Sequence, residues 1–339
     1  MSVIVNMENI KLENWIPYKL LKEEMQLQCH WLNTYGQPFT EPFFDETILK
    51  CRVKDKRHIA HPSVSDMQMM MEWVKDIEAV EPVAVIFHIS RCGSTLISQM
   101  LAASDENIVL AEVPFFDDIL RLPFKEPGIN ETSTSELFNA ALKYYSKGAY
   151  TNGLNKNKEK RVLIKADSWH LFFYRQLRQL FPSVPFILMY RSPDEVFRSH
   201  RKQPGMQSVS GLIEPQIFGI SASDIDTMSP DIYLASVLEN YLSRYLDIIA
   251  DDKLCLLVNY NEGPMNILQR IAAFTNMLIS NEDQQKMYNR SLYHSKKPDE
   301  RFREDNTGST PSYLWKAMEL YHHLDEKRRS NTVIYRHPV

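Results

Sequence analysis

From about Glu81 onward, short and nearly continuous apolar runs alternate with longer stretches of helical period. Five runs read as strands: Val83–Ile89, Ile108–Ala111, Arg161–Lys165, Pro185–Tyr190 and Leu254–Asn259. A strand that is apolar on both faces is covered on both faces, so the pattern predicts an α/β fold with a central, mostly parallel sheet flanked by helices. Helix starts are marked as clearly. Ser192, Pro193 and Glu195 combine an N-cap, a first-position proline and a capping-box glutamate, and Ser229-Pro230 and Thr310-Pro311 repeat the cap-then-proline signal.

Residues 1–80 carry Trp15, Trp31 and the string Pro42-Phe43-Phe44 but no second βαβ pattern. They are expected to form an appendage packed on a main domain of residues 81–339. Two stretches lack periodicity: Gln203–Ser229, rich in Gly, Ser and Pro, and the charged stretch His294–Ser309. Loops of that length in a compact α/β domain serve as lids or binding loops, or else are disordered.

Composition narrows the field. A chain of 339 residues, 44% of them hydrophobic, can bury a large core. A net charge of -4 gives no overall positive field to draw nucleic acid or an anionic membrane. Cys29, Cys51, Cys92 and Cys255 show no metal-ligand spacing, which favours reduced thiols. No stretch approaches the roughly 20 apolar residues of a membrane span, and the N-terminus lacks a basic region followed by an apolar one. A cytoplasmic protein without a membrane span is the expectation.

The string VAVIFHISRCGSTLISQML reads as strand, tight turn and helix, with Leu96, Ile97, Met100 and Leu101 expected on the inner side. In a parallel sheet this turn lies where backbone N–H groups and the positive end of the helix dipole converge, which suits an anion. Gly93 permits close approach, Ser94 and Thr95 add hydroxyls, and Arg91 adds a forked permanent charge. A nucleoside-triphosphatase loop would end Gly-Lys-Ser/Thr. Here the corresponding residues are Gly93-Ser94-Thr95, so the lysine for the outer phosphates is missing and a less charged group such as a sulfonate fits.

A second strand and helix, VPFILMYRSPDEVFRSHRK, carries Arg191 at the strand's end and Ser199 eight residues on. These can meet on one phosphate. The alternative is that Arg191 pairs with Asp194 or Glu195 while Ser199 faces solvent.

Together the two stretches resemble the sulfotransferases that use 3′-phosphoadenosine 5′-phosphosulfate, across roughly Val83–Lys297. Arg91-Cys92-Gly93-Ser94-Thr95 is similar to their 5′-phosphosulfate loop, with Cys92 acting through its backbone, and Arg191 with Ser199 to their 3′-phosphate motif. The spacing is most similar to the tyrosylprotein sulfotransferases and a related bacterial group. The resemblance implies a three-layer P-loop sulfotransferase-like fold and sulfuryl transfer to a hydroxyl or amine of a small-molecule or peptide acceptor. No metal would be needed.

It also implies residue roles. Glu112, 21 residues after Arg91, would be the general base, and Lys165 would lie beside the transferring group. Where the cytosolic enzymes have a catalytic histidine two residues after that lysine, this chain has Asp167, with His170 three further on, so Asp167 and His170 remain alternatives to Glu112. Tyr260 resembles a nucleotide-holding tyrosine, and Lys296 and Lys297 resemble a basic segment over the 3′-phosphate. His88 reads as a packing residue. Two other functions stay open: a nucleotide-binding interaction module without chemistry, and an ATP-dependent phosphotransferase.

Overall fold

The computed structural model describes residues 12–23, 26–54, 62–147, 160–293 and 310–332. Its N-terminal part contains strands that periodicity did not suggest: β1 (Trp15–Glu23), β2 (Gln26–Asn33) and β3 (Ser63–Asp66), all antiparallel. The signal was present in β2, where Leu27, Cys29 and Trp31 alternate with Gln26, Gln28 and His30. This small sheet is bound to the rest of the molecule. Trp31 stacks edge-on against Tyr144 at 5.0 Å, the Leu20 amide donates to Asp118 at 3.0 Å, and the Tyr145 hydroxyl donates to the Pro17 carbonyl. All four cysteines are unpaired.

The five expected strands form a second sheet, entirely parallel: β4 (Ala84–His88), β5 (Asn107–Ala111), β6 (Arg161–Lys165), β7 (Phe186–Tyr190) and β8 (Cys255–Asn259). Every residue of β4 and β7 is buried, which is why their sequences are apolar without alternation. The order is β5-β6-β4-β7-β8. From central β4 the chain goes to one edge, returns through β6, then crosses to β7. The loop after β4 therefore leaves the sheet between β6 and β7, at the reversal of strand order where open α/β sheets bind ligands.

Helix starts agree with the sequence in place more than in detail. Pro193–Lys202 begins after Ser192, but no capping box forms: the Ser192 hydroxyl bonds Asp194 and Glu195 turns back to Arg191. The guanidinium competes successfully for the carboxylate. Ser229 does cap the helix Pro230–Asp251. After Thr310-Pro311 a 3-10 turn, Ser312–Leu314, precedes the helix Trp315–Thr332. The stretch Gln203–Ser229 contains short 3-10 turns and the four-residue helix Ala222–Ile225, and His294–Ser309 lies outside the described residues. Among the described residues, no helix is long and apolar enough to cross a membrane.

Candidate functional site

Each of the five parallel strands delivers a residue to one cleft from its last position or the next. These are His88 and the loop after it from β4, Glu112 after β5, Lys165 ending β6, Arg191 after β7 and Tyr260 after β8. All but Lys165 line a cleft of about 810 Å³, and Lys165 lies directly beneath it, bonded to Glu112. Parallel strands point their carboxyl ends the same way, so residues far apart in sequence share one rim.

The loop from Ser90 to Gly93 is conformationally special. Ser90, Arg91 and Gly93 have φ of 65°, 50° and 81°, and Glu112 across the cleft has 52°. Non-glycine residues rarely adopt this left-handed region, and they cluster where a site over-determines the backbone. The helix Ser94–Ala102 starts at Gly93 with no side-chain cap. Its first N–H groups have no intrahelical acceptor and open onto the cleft with Ser94 and Thr95. Arg91 donates to the Gln203 carbonyl, while its Nε is buried without a partner among the described residues. Cys92 turns the other way, its thiol reaching the Met189 carbonyl at 3.5 Å and pushed up to about 11 by burial. Leu96 is half-buried, packed against the core and also lining the cleft, while Ile97, Met100 and Leu101 are fully in the core.

Arg191 and Ser199 line the same cleft as this loop. Arg191 Nε bonds Glu195 at 3.0 Å, so the pairing weighed as an alternative is present, and it coexists with exposure to the cleft. The guanidinium also lies 4.3 Å from the centre of the Tyr260 ring. Tyr260 in turn rests on Gly93, where a Cβ would come within 2.5 Å of the ring. The tyrosine thus ties the β4 loop to the β7 terminus. Below it, Asp325 of the C-terminal helix accepts from Tyr190 and Asn259, both at 2.9 Å, clamping the ends of β7 and β8.

Glu112 sits between two donors. Its Oε1 accepts from Lys165 and lies 3.2 Å from His88 Nε2. Burial alone would raise the carboxyl's pKa, but the Lys165 charge and the His88 hydrogen bond hold it down at about 2. Lys165 is fully buried, 3.4 Å from the Thr95 hydroxyl and 5.2 Å from the centre of the Phe43 ring. One ammonium therefore touches both the start of the Ser94–Ala102 helix and the carboxylate.

Asp167 also faces the cleft, whereas His170 does not line it. Burial, reinforced by Glu112 and Asp117, pushes the Asp167 carboxyl well above the usual range. His170 Nδ1 accepts from the Asp167 amide at 3.3 Å, so its Nε2 donates to Asp117 at 3.1 Å. Among the described residues, Asp117, Asp167 and His170 offer ligand atoms within 4.8 Å of one another, a set that can hold a cation. Asp117 is already held by Trp169, His170 and Arg121, the last at 2.8 Å.

Phe43 and Asp45 come from the N-terminal part, Gln203–Gln207 from the loop after the Ser199 helix, and Trp169 from the turn after β6. Lys202, Ser291 and Tyr293 also line the cleft, with Pro114, Asp117 and Pro264. Two of these stretches, the Pro42-Phe43-Phe44 string and the Gln203–Ser229 loop, stood out in the sequence; the other residues carried no motif. Lys296 and Lys297 lie outside the described residues.

No protein-family model and no curated protein matches the sequence. Among solved structures, the chain is similar to a sulfotransferase from Mycobacterium avium with 15% identity and a TM-score of 0.44, covering 79% of this chain and 80% of that one. It is similar to a sulfotransferase from Alicyclobacillus acidocaldarius with 16% identity and a TM-score of 0.42, covering 76% and 98%. The sulfotransferase domain of a Synechococcus olefin synthase matches with 16% identity and a TM-score of 0.43, covering 78% and 98%.

Proposed function

We propose that this chain is a sulfotransferase that moves a sulfuryl group from 3′-phosphoadenosine 5′-phosphosulfate to a hydroxyl or amine acceptor. The observation that carries the reading is the single cleft lined by the Arg91–Thr95 loop and by Arg191 and Ser199. Two groups of anion-binding donors lining one cavity suit a nucleotide with anionic groups at its 5′ and 3′ positions. The Arg91 guanidinium, which lines this cleft, suits such a ligand, since it offers forked charged donors to an anion.

When bound, the nucleotide supplies the activated sulfuryl group. Arg91 and the N–H groups at the start of the Ser94–Ala102 helix hold its 5′ end, while Arg191 and Ser199 hold the 3′-phosphate and Cys92 contributes its backbone only. The Tyr260 ring steadies Arg191. The acceptor oxygen or nitrogen forms a bond to sulfur as the sulfur–bridging-oxygen bond breaks, releasing adenosine 3′,5′-bisphosphate. Glu112 takes the acceptor's proton, and Lys165 stabilises the charge that builds nearby.

Melting curves test the donor. Adenosine 3′,5′-bisphosphate at about 100 times its Kd should add roughly 2.7 kcal/mol of stability, well above the effect of AMP or Mg-ATP at equal concentration. Equal effects of all three exclude the assignment. One observation favours a second reading, a nucleotide-binding module without turnover: a carboxyl held at about 2 is a weak base. That reading requires intact biological activity after Glu112→Gln.

A further inference from the structure

His88 is the last residue of β4 and is 4% exposed. Its ring makes three polar contacts. The Ser90 amide donates to Nδ1 at 3.0 Å, and Nε2 lies 3.0 Å from the Ala166 carbonyl and 3.2 Å from Glu112 Oε1. An amide N–H can only donate and a carbonyl can only accept. The ring is therefore the neutral tautomer with Nδ1 bare and the proton on Nε2, shared between Ala166 and Glu112.

The two segments it joins are the strained ones. Ser90 has φ of 65° and Glu112 of 52°, and residues in this region persist only where their surroundings hold them. One buried ring bonds the amide of the first and the carboxylate of the second. We propose that His88 is a positioning residue, a strut that sets the distance between the anion loop and Glu112. It ties down Oε1 jointly with Lys165, which leaves Oε2, without a donor among the described residues, to meet the acceptor.

The kinetic consequences rest on the sulfotransferase reading; the hydrogen-bonding arrangement does not. His88 is not a proton relay. Nε2 already carries its proton and Nδ1 is taken by the Ser90 amide, so the proton that Glu112 collects leaves from the carboxylate through the cleft. Burial lowers the ring's pKa and Lys165 on β6 adds to this, while Glu112 beyond β5 and the Ala166 carbonyl oppose it. The net direction keeps the ring neutral.

Amide replacements separate the two bonds, because a glutamine amide reaches roughly to the Nε2 position and an asparagine amide to Nδ1. His88→Gln keeps a donor for Glu112 and loses the acceptor for Ser90, so KM for the donor nucleotide should rise about tenfold with kcat nearly unchanged, as expected for one hydrogen bond. His88→Asn should do the reverse, lowering kcat about tenfold. Two variants with lower melting temperatures but wild-type kinetics would overturn the strut. The ¹⁵N NMR spectrum of the His88 ring in the nucleotide-free protein decides independently of activity. A bare Nδ1 and protonated Nε2, persisting below the ordinary imidazole pKa, is expected; an Nδ1–H ring, or one titrating at the usual value, refutes the proposal even if sulfuryl transfer is proven. If the bisphosphate nucleotide fails to bind, the functional reading falls and the ring spectrum still decides the strut.

Discussion

A methyl group added at Gly93 would stand 2.5 Å from Cδ2 and 2.7 Å from Cε2 of Tyr260, closer than any relaxed carbon contact. Gly93 also has φ of 81°, so the position demands glycine twice, for backbone conformation and for the ring above it. Since Tyr260 carries the Arg191 guanidinium on its face, displacing the ring disturbs the Arg91–Thr95 loop and Arg191 together. Gly93→Ala should cost about 1–3 kcal/mol of stability and weaken adenosine 3′,5′-bisphosphate binding. Denaturant titration and calorimetry check this, and adding Tyr260→Leu should recover part of the stability but not the affinity.

Arg191→Ala removes a charge-assisted contact and leaves Tyr260 and Glu195 without their partner. The bisphosphate nucleotide should bind at least tenfold more weakly, the equivalent of about 1.5 kcal/mol or more. Titration calorimetry against AMP, which lacks the 3′-phosphate, should show a much smaller loss.

Glu112→Gln should lower turnover by about 10²–10⁴ while leaving bisphosphate affinity within a few-fold of wild type. Single-turnover assays with saturating donor separate the two quantities. Should turnover persist, Asp167→Asn is the next substitution, because Asp167 shares the cleft and its raised pKa suits proton exchange nearer neutral pH.

The pH dependence of stability follows from the same carboxylate. In the folded state Glu112 is lowered from the ordinary value of 4.5 to about 2, so the unfolded chain binds the proton more readily. Its contribution is fully present above about pH 4.5 and is lost as pH falls toward about 2. The stability gap between wild type and Glu112→Gln should be largest near neutral pH and narrow between pH 4.5 and 2. Urea unfolding of both proteins at pH 7, 4 and 3 measures it; a gap that widens on acidification contradicts the Lys165–Glu112–His88 arrangement.

The sequence alone determined the parallel sheet, because strands buried on both faces must be apolar throughout, and β4 to β8 lie within one or two residues of the runs that mark them. It also marked Arg91, Gly93, Arg191 and Ser199, which the fold brings to one cleft. Side-chain competition was decided only in three dimensions. Glu195 was expected to cap its own helix and instead binds Arg191, and His88 looked like a packing residue until β5 and β6 brought Glu112 and Ala166 to its ring. Strand order, a property of the whole chain, decided that Lys165 would sit beneath Glu112 and Tyr260 upon Gly93. Periodicity reports which face of an element is buried; it carries no information about which distant element covers that face.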